Sequence, residues 1–300
     1  MNILLTGGSG FIGKHILKKL ECTTHRVLAI SRNLESTGKN ISIITGDINN
    51  IEQLKSEINQ FETDTVIHLS WEGIPDFSAK MCQNNLFSSI QFFNWIFENT
   101  NCKQVIISGS CFEYGKKQGV CKESDPVNIN SYFTWAKHSL NLYLSLMCAK
   151  KDVAINWFRL FYVYGPGQRE ESLIPTLIKS IAAKEIPQIN TPHNKNDFIY
   201  VGDVAKVFAK AVDADLPSGV YNLGSGYSTS IYDVCHMVEK HLLGTGTISK
   251  QVVKNGQKDE KVNFWADMNK TESTLNMLCN IELQEGIKKY IKSTYLKTFA

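Results

Sequence analysis

Three glycines at three-residue intervals constrain this chain more than any other feature. Ile3-Leu4-Leu5 runs into Thr6-Gly7-Gly8-Ser9-Gly10-Phe11-Ile12-Gly13, which sits between an apolar strand pattern and a helical one. Glycines in such a turn let the backbone bend tightly and approach a pyrophosphate closely, while the following helix offers unpaired N–H groups and the positive end of its dipole to the anion. Strand before, helix after and a second strand on schedule turn a common glycine pattern into a dinucleotide-binding signature.

The flanking rhythm agrees. Strand patterns at 2–6, 26–31, 41–45, 65–70, 104–109 and 153–160 alternate with helical ones near 11–21, 50–60, 78–100 and 131–150. That alternation predicts an α/β fold, a doubly wound parallel sheet of Rossmann type with helices on both faces. Beyond Gly165-Pro166-Gly167 the rhythm changes. Helices near 172–184, 229–243 and 283–296 alternate with short extended pieces, and 220–223 reads as one more strand. The expected division is a dinucleotide-binding domain over 1–165 and a smaller C-terminal substrate-binding lobe over 166–300, some segments of which return to the first domain.

Composition removes several classes of partner. A net charge of +3, from 32 basic and 29 acidic residues without a basic run, argues against nucleic acid. No apolar run reaches the roughly 18 residues of a membrane span. Met1 leads straight into a strand pattern without signal-peptide features, so a cytoplasmic location is expected. The eight cysteines form no Cys-x-x-Cys pair, and no carboxylate–histidine spacing resembles a ligand set; neither a metal site nor a disulfide framework is expected.

The second strand ends in Ser31-Arg32-Asn33. An NAD-selective fold usually carries an acid here for the ribose 2′-hydroxyl. Arg32 offers a cation for a 2′-phosphate instead, with Ser31 and Asn33 as hydrogen-bond donors, which predicts NADP(H); a solvated surface arginine is the alternative. Gly46-Asp47-Ile48 and His68-Leu69-Ser70 close the third and fourth strands, at the sheet edge where open α/β folds bind ligands.

With these motifs in place, the chain resembles the extended short-chain dehydrogenase/reductase family of nucleotide-sugar epimerases, dehydratases and ketoreductases. The likeness spans nearly the whole chain. It rests on the glycine turn, Gly46-Asp47-Ile48, His68-Leu69-Ser70, Asn85, Ser108-Gly-Ser-Cys-Phe-Glu-Tyr-Gly115, the Lys137 segment, Arg159-Leu-Phe-Tyr-Val-Tyr-Gly-Pro166, Asp197-Phe-Ile-Tyr-Val-Gly-Asp-Val204 and Tyr221-Asn-Leu-Gly224. The resemblance implies a cofactor path along Gly7, Ser9, Gly10, Phe11, Ile12, Gly13, Ser31, Arg32, Asp47, Ile48, Leu69, Ser70, Asn85 and Lys137, with Asp47 beside the adenine.

The family's catalytic set is a Ser or Thr four residues before Tyr-Gly, plus Tyr-x-x-x-Lys on the next helix. Counting from Tyr114-Gly115 gives Ser110, and counting back four from Lys137 gives Phe133. In the family mechanism the tyrosine moves a proton at the sugar oxygen while hydride moves at the nicotinamide; the lysine lowers the tyrosine pKa and binds ribose, and the serine holds the oxygen. Phenylalanine keeps the ring and loses the proton, so an impaired Tyr-to-Phe form is expected. Tyr132 carries a hydroxyl, but one residue turns it about 100° round the helix, away from Lys137.

Family dehydratases follow the Ser/Thr with Asp-Glu. Here Cys111-Phe112 stands there, which disfavours dehydration. The implied activity is NADPH-dependent reduction of a 4-keto-6-deoxy sugar linked to dTDP or CDP. A 4-epimerase and a non-catalytic NADP-binding sensor are the alternatives. Trp71, Cys111, Phe112 and Tyr162 are candidates for the sugar pocket and Arg169 for the diphosphate, against ordinary core packing or an idle surface arginine. A homodimer through the 86–97 helix (Phe87, Phe92, Phe93, Trp95, Phe97) and the 131–147 helix is expected, with packing on the sheet as the other use of those aromatics.

Overall fold

The computed structural model describes residues 1–33, 38–255, 262–277, 279 and 281–294. In chain order its first half contains β1 (Asn2–Thr6), α1 (Phe11–Leu20), β2 (Arg26–Ser31), β3 (Ile41–Thr45), α2 (Lys55–Phe61), β4 (Thr65–His68), α3 (Ala79–Asn99), β5 (Gln104–Ser110), β6 (Gly119–Cys121) and α4 (Tyr132–Lys151). There follow β7 (Ala154–Leu160), β8 (Tyr162–Tyr164), α5 (Leu173–Ala182), β9 (Lys195–Asn196), β10 (Phe198–Tyr200), α6 (Val201–Asp213) and β11 (Gly219–Leu223). The last elements are β12 (Thr229–Ser230), α7 (Ile231–Leu243), α8 (Thr247–Asn255), β13 (Phe264–Ala266), α9 (Asn269–Leu275) and α10 (Leu283–Thr294). The final two residues of the helix expected over 283–296 lie outside the described residues.

Seven strands form one sheet in the order β11-β7-β5-β4-β1-β2-β3, every neighbouring pair parallel. The order turns back on itself between β1 and β4, and the crevice outside their carboxyl ends is where such sheets take ligands. Parallel strands buried on both faces supply two cores from alternate residues. Ile3 and Leu5 join Leu17, Leu20, Phe208 and Val212 beneath α1 and α6. Leu4 joins Phe92, Phe93, Leu140 and Trp157 beneath α3 and α4. A third core, from Ile178, Val238, Ile287 and Tyr290, holds α5, α7 and α10 together.

The helix α6 and the strand β11 lie past residue 166 and pack with the first half of the chain: α6 lies beside α1, and β11 extends the sheet along β7. Phe92, Phe93, Trp95 and Phe97 are buried against the sheet; of the five aromatics assigned to a dimer face only Phe87 is exposed. Among the described residues no helix is long and apolar enough to cross a membrane.

Candidate active site and dinucleotide cavity

The glycine turn is built by close approach. Gly7 takes a φ of +75°, and a Cβ there would lie 2.9 Å from the backbone of Leu69 and of Ser70. A Cβ on Gly13 would stand 2.2 Å from the Gly7 carbonyl oxygen. These positions need glycine because backbone meets backbone. The helix α1 begins at Gly10 with no side-chain cap and no acidic residue in its first turn, so its free N–H groups face outward with nothing to oppose an anion.

In front of that helix end lies a cavity of about 460 Å³. Gly7, Ser9, Gly10, Ser31, Arg32, Asp47, Ile48, Leu69, Ser70 and Asn85, all expected along the cofactor path, line it. Phe11, Ile12, Gly13 and Lys137 do not. Phe11 stands edge-on to His15, Ile12 packs against the core and Gly13 is buried under the turn, so what these three present is backbone. The uncapped helix end and the glycine cradle fit a pyrophosphate, and the strand-end polar groups fit an adenosine. Spacing alone did not find Glu72, Asn84, Ser88 or Gln91, which also line the cavity. Asn84, Ser88 and Gln91 follow each other at i, i+4 and i+7 along α3, a polar stripe the helix pattern does contain.

Beneath the cavity runs a buried polar chain. Thr6 Oγ1 meets His68 Nδ1 at 2.9 Å, and His68 Nε2 meets Ser89 Oγ at 3.2 Å. Burial drives the His68 pKa down to about 3, with the Lys137 charge adding to the effect. His68 is therefore a neutral strut that ties β1 to β4 and α3.

The catalytic candidates stand at the end of β5 and on α4. Ser110 opens a short 3₁₀ turn, Cys111–Tyr114. Its hydroxyl accepts from the Phe112 N–H at 3.2 Å, which leaves its own O–H free to donate. Phe133 is 7% exposed, 4.8 Å from Phe77, 5.3 Å from Trp71 and 6.0 Å from Phe112 between ring centroids. Tyr132 is 58% exposed. Lys137 is buried, donates to the Ser108 carbonyl at 2.9 Å and lies 4.2 Å from the centre of the Trp71 ring. Desolvation lowers its pKa to about 8, opposed by the Glu113 carboxylate.

The sugar-pocket candidates separate. Trp71 lines the cavity, Phe112 is exposed and stands 6.2 Å from Tyr162, and burial pushes the Tyr162 hydroxyl well above its ordinary pKa. Cys111 instead joins the core that holds Tyr114 and Phe161, where burial raises its thiol far above the usual range. Arg169 is exposed on the turn before α5. Phe77, which spacing did not single out, completes the aromatic group.

Glu113 also escaped the sequence reading, although it lies within the quoted motif. It is fully buried and accepts from the Ser110 N–H at 3.0 Å, Trp157 Nε1 at 2.9 Å and Arg159 Nε at 2.9 Å. One carboxylate thus pins the serine, β5 and β7 together.

Residues 3–224 match the model of the NAD dependent epimerase/dehydratase family. The chain is similar to dTDP-4-dehydro-6-deoxyglucose reductase of Escherichia coli, 24% identical over 98% of each chain. It is also similar to a putative UDP-glucose 4-epimerase of Methanocaldococcus jannaschii, 27% identical over 96% of this chain and 97% of that one. A crystal structure of UDP-glucuronic acid 4-epimerase from Bacillus cereus in complex with NAD superposes with a TM-score of 0.82 at 24% identity, covering 99% of this chain and 98% of that one.

Proposed function

The chain belongs to the NAD dependent epimerase/dehydratase family, and from that premise we propose that it serves NADPH-dependent reduction of a nucleotide-linked 4-keto-6-deoxy sugar, carried by dTDP or CDP, in a form weakened at Phe133. The observation that carries this reading is the aromatic wall of Trp71, Phe77, Phe112, Phe133 and Tyr162 beside Ser110. A hexose whose C6 is a methyl presents an apolar edge to such a wall, whereas a 6-hydroxyl would lose hydrogen bonds there.

The dinucleotide, when bound, supplies hydride. The chain's residues do the rest. The turn at Gly7–Gly13 and the α1 N-terminus hold the diphosphate bridge, and Arg32 at the mouth of the cavity is the cation assigned to the 2′-phosphate. Ser110 donates to the sugar oxygen, and Lys137 supplies positive charge behind Trp71. Phe133 occupies the position from which a tyrosine would deliver the proton. Its ring fills the space and transfers nothing.

General acid catalysis is worth about 10²–10⁴-fold. Phe133→Tyr is therefore expected to raise NADPH consumption by about that factor on a panel of dTDP- and CDP-linked 4-keto-6-deoxyhexoses. Equal rates for the two proteins would refute the role given to Phe133. Similarity to the putative epimerase supports a second reading: interconversion of C4 epimers by Phe133→Tyr without net loss of NADPH would replace reduction with epimerisation. Tight NADPH binding without turnover by either protein would favour a non-catalytic sensor.

A further inference from the structure

We propose that Glu72 sets the cavity's choice between a 2′-phosphate and a 2′-hydroxyl by holding Arg32; this rests on the dinucleotide reading above. The Arg32 guanidinium is not idle. Its Nη1 is hydrogen-bonded to Glu72 Oε1 and stands 3.5 Å from Asp47 Oδ2. All three residues line the same cavity.

The two carboxylates are differently employed. Asp47 Oδ1 accepts from the Asn49 N–H at 2.9 Å and so caps the turn that follows β3. The Glu72 backbone is clamped to α3 from both sides. Its N–H donates to Asn85 Oδ1 at 2.7 Å, and its carbonyl accepts from Asn85 Nδ2 at 3.1 Å. That clamp delivers the Glu72 carboxylate across the crevice to a cation at the end of β2. The acid missing from the second strand is thus supplied from the loop after β4.

One cation between two carboxylates leaves the subsite with a net negative charge. A 2′-phosphate must take the Arg32 guanidinium from Glu72, so the ion pair that is broken is subtracted from what the phosphate gains. A 2′-hydroxyl carries no charge and can donate to either carboxylate. Glu72 therefore narrows the NADPH preference that Arg32 confers, and removing its charge widens that preference.

The test is calorimetric measurement of the dissociation constants of NADPH and NADH for the wild-type chain, Glu72→Gln, Arg32→Ala and the two substitutions together, at one fixed ionic strength. The ratio of the NADH to the NADPH constant is expected to rise about fivefold in Glu72→Gln, the scale of one exposed charge pair. In the Arg32→Ala background the same substitution is expected to move the ratio by less than about twofold. A ratio unchanged by Glu72→Gln, or an equal rise with Arg32 absent, would overturn the inference while leaving the dinucleotide site intact. Absence of binding by either nucleotide to the wild-type chain would overturn the site and the inference together.

Discussion

At Lys137 the ammonium is buried among Ser108, Trp71 and the base of α4, and loss of hydration lowers its pKa to about 8. In the unfolded chain the amine holds its proton to about pH 10.4. Below pH 8 the folded protein therefore carries the full cost of a desolvated charge, and between pH 8 and about 10.4 that cost fades as the pH rises, because the unfolded state then binds more protons. Lys137→Met is expected to gain stability relative to wild type at pH 7 and to lose that margin by pH 10, read from urea midpoints at the two values. An equal margin at both would contradict the burial argument. Lys137 and Phe133 became candidates through the family's Tyr-x-x-x-Lys pattern, a local feature of one helix. It was blind to Glu72, because Arg32 and Glu72 lie forty positions apart and meet only through the folding of two loops at one sheet edge.

The element that positions Ser110 is the four-residue turn after β5, and its stability comes from Glu113. The turn is short, and its capping serine is fixed by a carboxylate shared with Trp157 and Arg159 on the next strand. Breaking a buried ion pair by neutralising one partner typically costs about 3–5 kcal/mol, because the other charge stays buried and unpaired. Glu113→Gln is expected to fall in that range by urea unfolding, and a loss under about 1 kcal/mol would show that the Arg159 guanidinium is satisfied without it. The motif containing Glu113 was recognisable in the sequence. Its partner was not, because the pairing of β5 with β7 is a fact of the sheet and not of spacing.

Across the whole molecule, the long helices were legible because their 3.6 period runs for ten residues or more, and the strands of the main sheet because strands buried on both faces read as continuous apolar runs. The strand pairs β8 with β10, β9 with β12 and β6 with β13 are two or three residues long and too short to show any period. The helix α6 does carry apolar residues at Val201, Val204, Ala205, Phe208, Ala211 and Val212. The helices expected over 166–300 did not include it, although some segments of that stretch were expected to return to the first domain. The cofactor cavity was largely legible, since its glycines and strand ends are local features. The aromatic wall was only partly so, since Phe77 reaches Phe133 from a loop more than fifty residues away. The proposed function requires a dinucleotide seated over the β1–α1 turn. The most direct test is titration calorimetry of the whole chain with NADPH and NADH, alongside Gly10→Ala. That added methyl enters the cradle with its nearest contact the Gly7 carbonyl at 3.1 Å, a separation a small backbone shift relieves. Saturable binding of at least one nucleotide to the wild-type chain, weakened about tenfold or more by Gly10→Ala while the thermal midpoint stays within a few degrees, is the expected result. No heat of binding from either nucleotide, or equal affinity in both proteins, would contradict it.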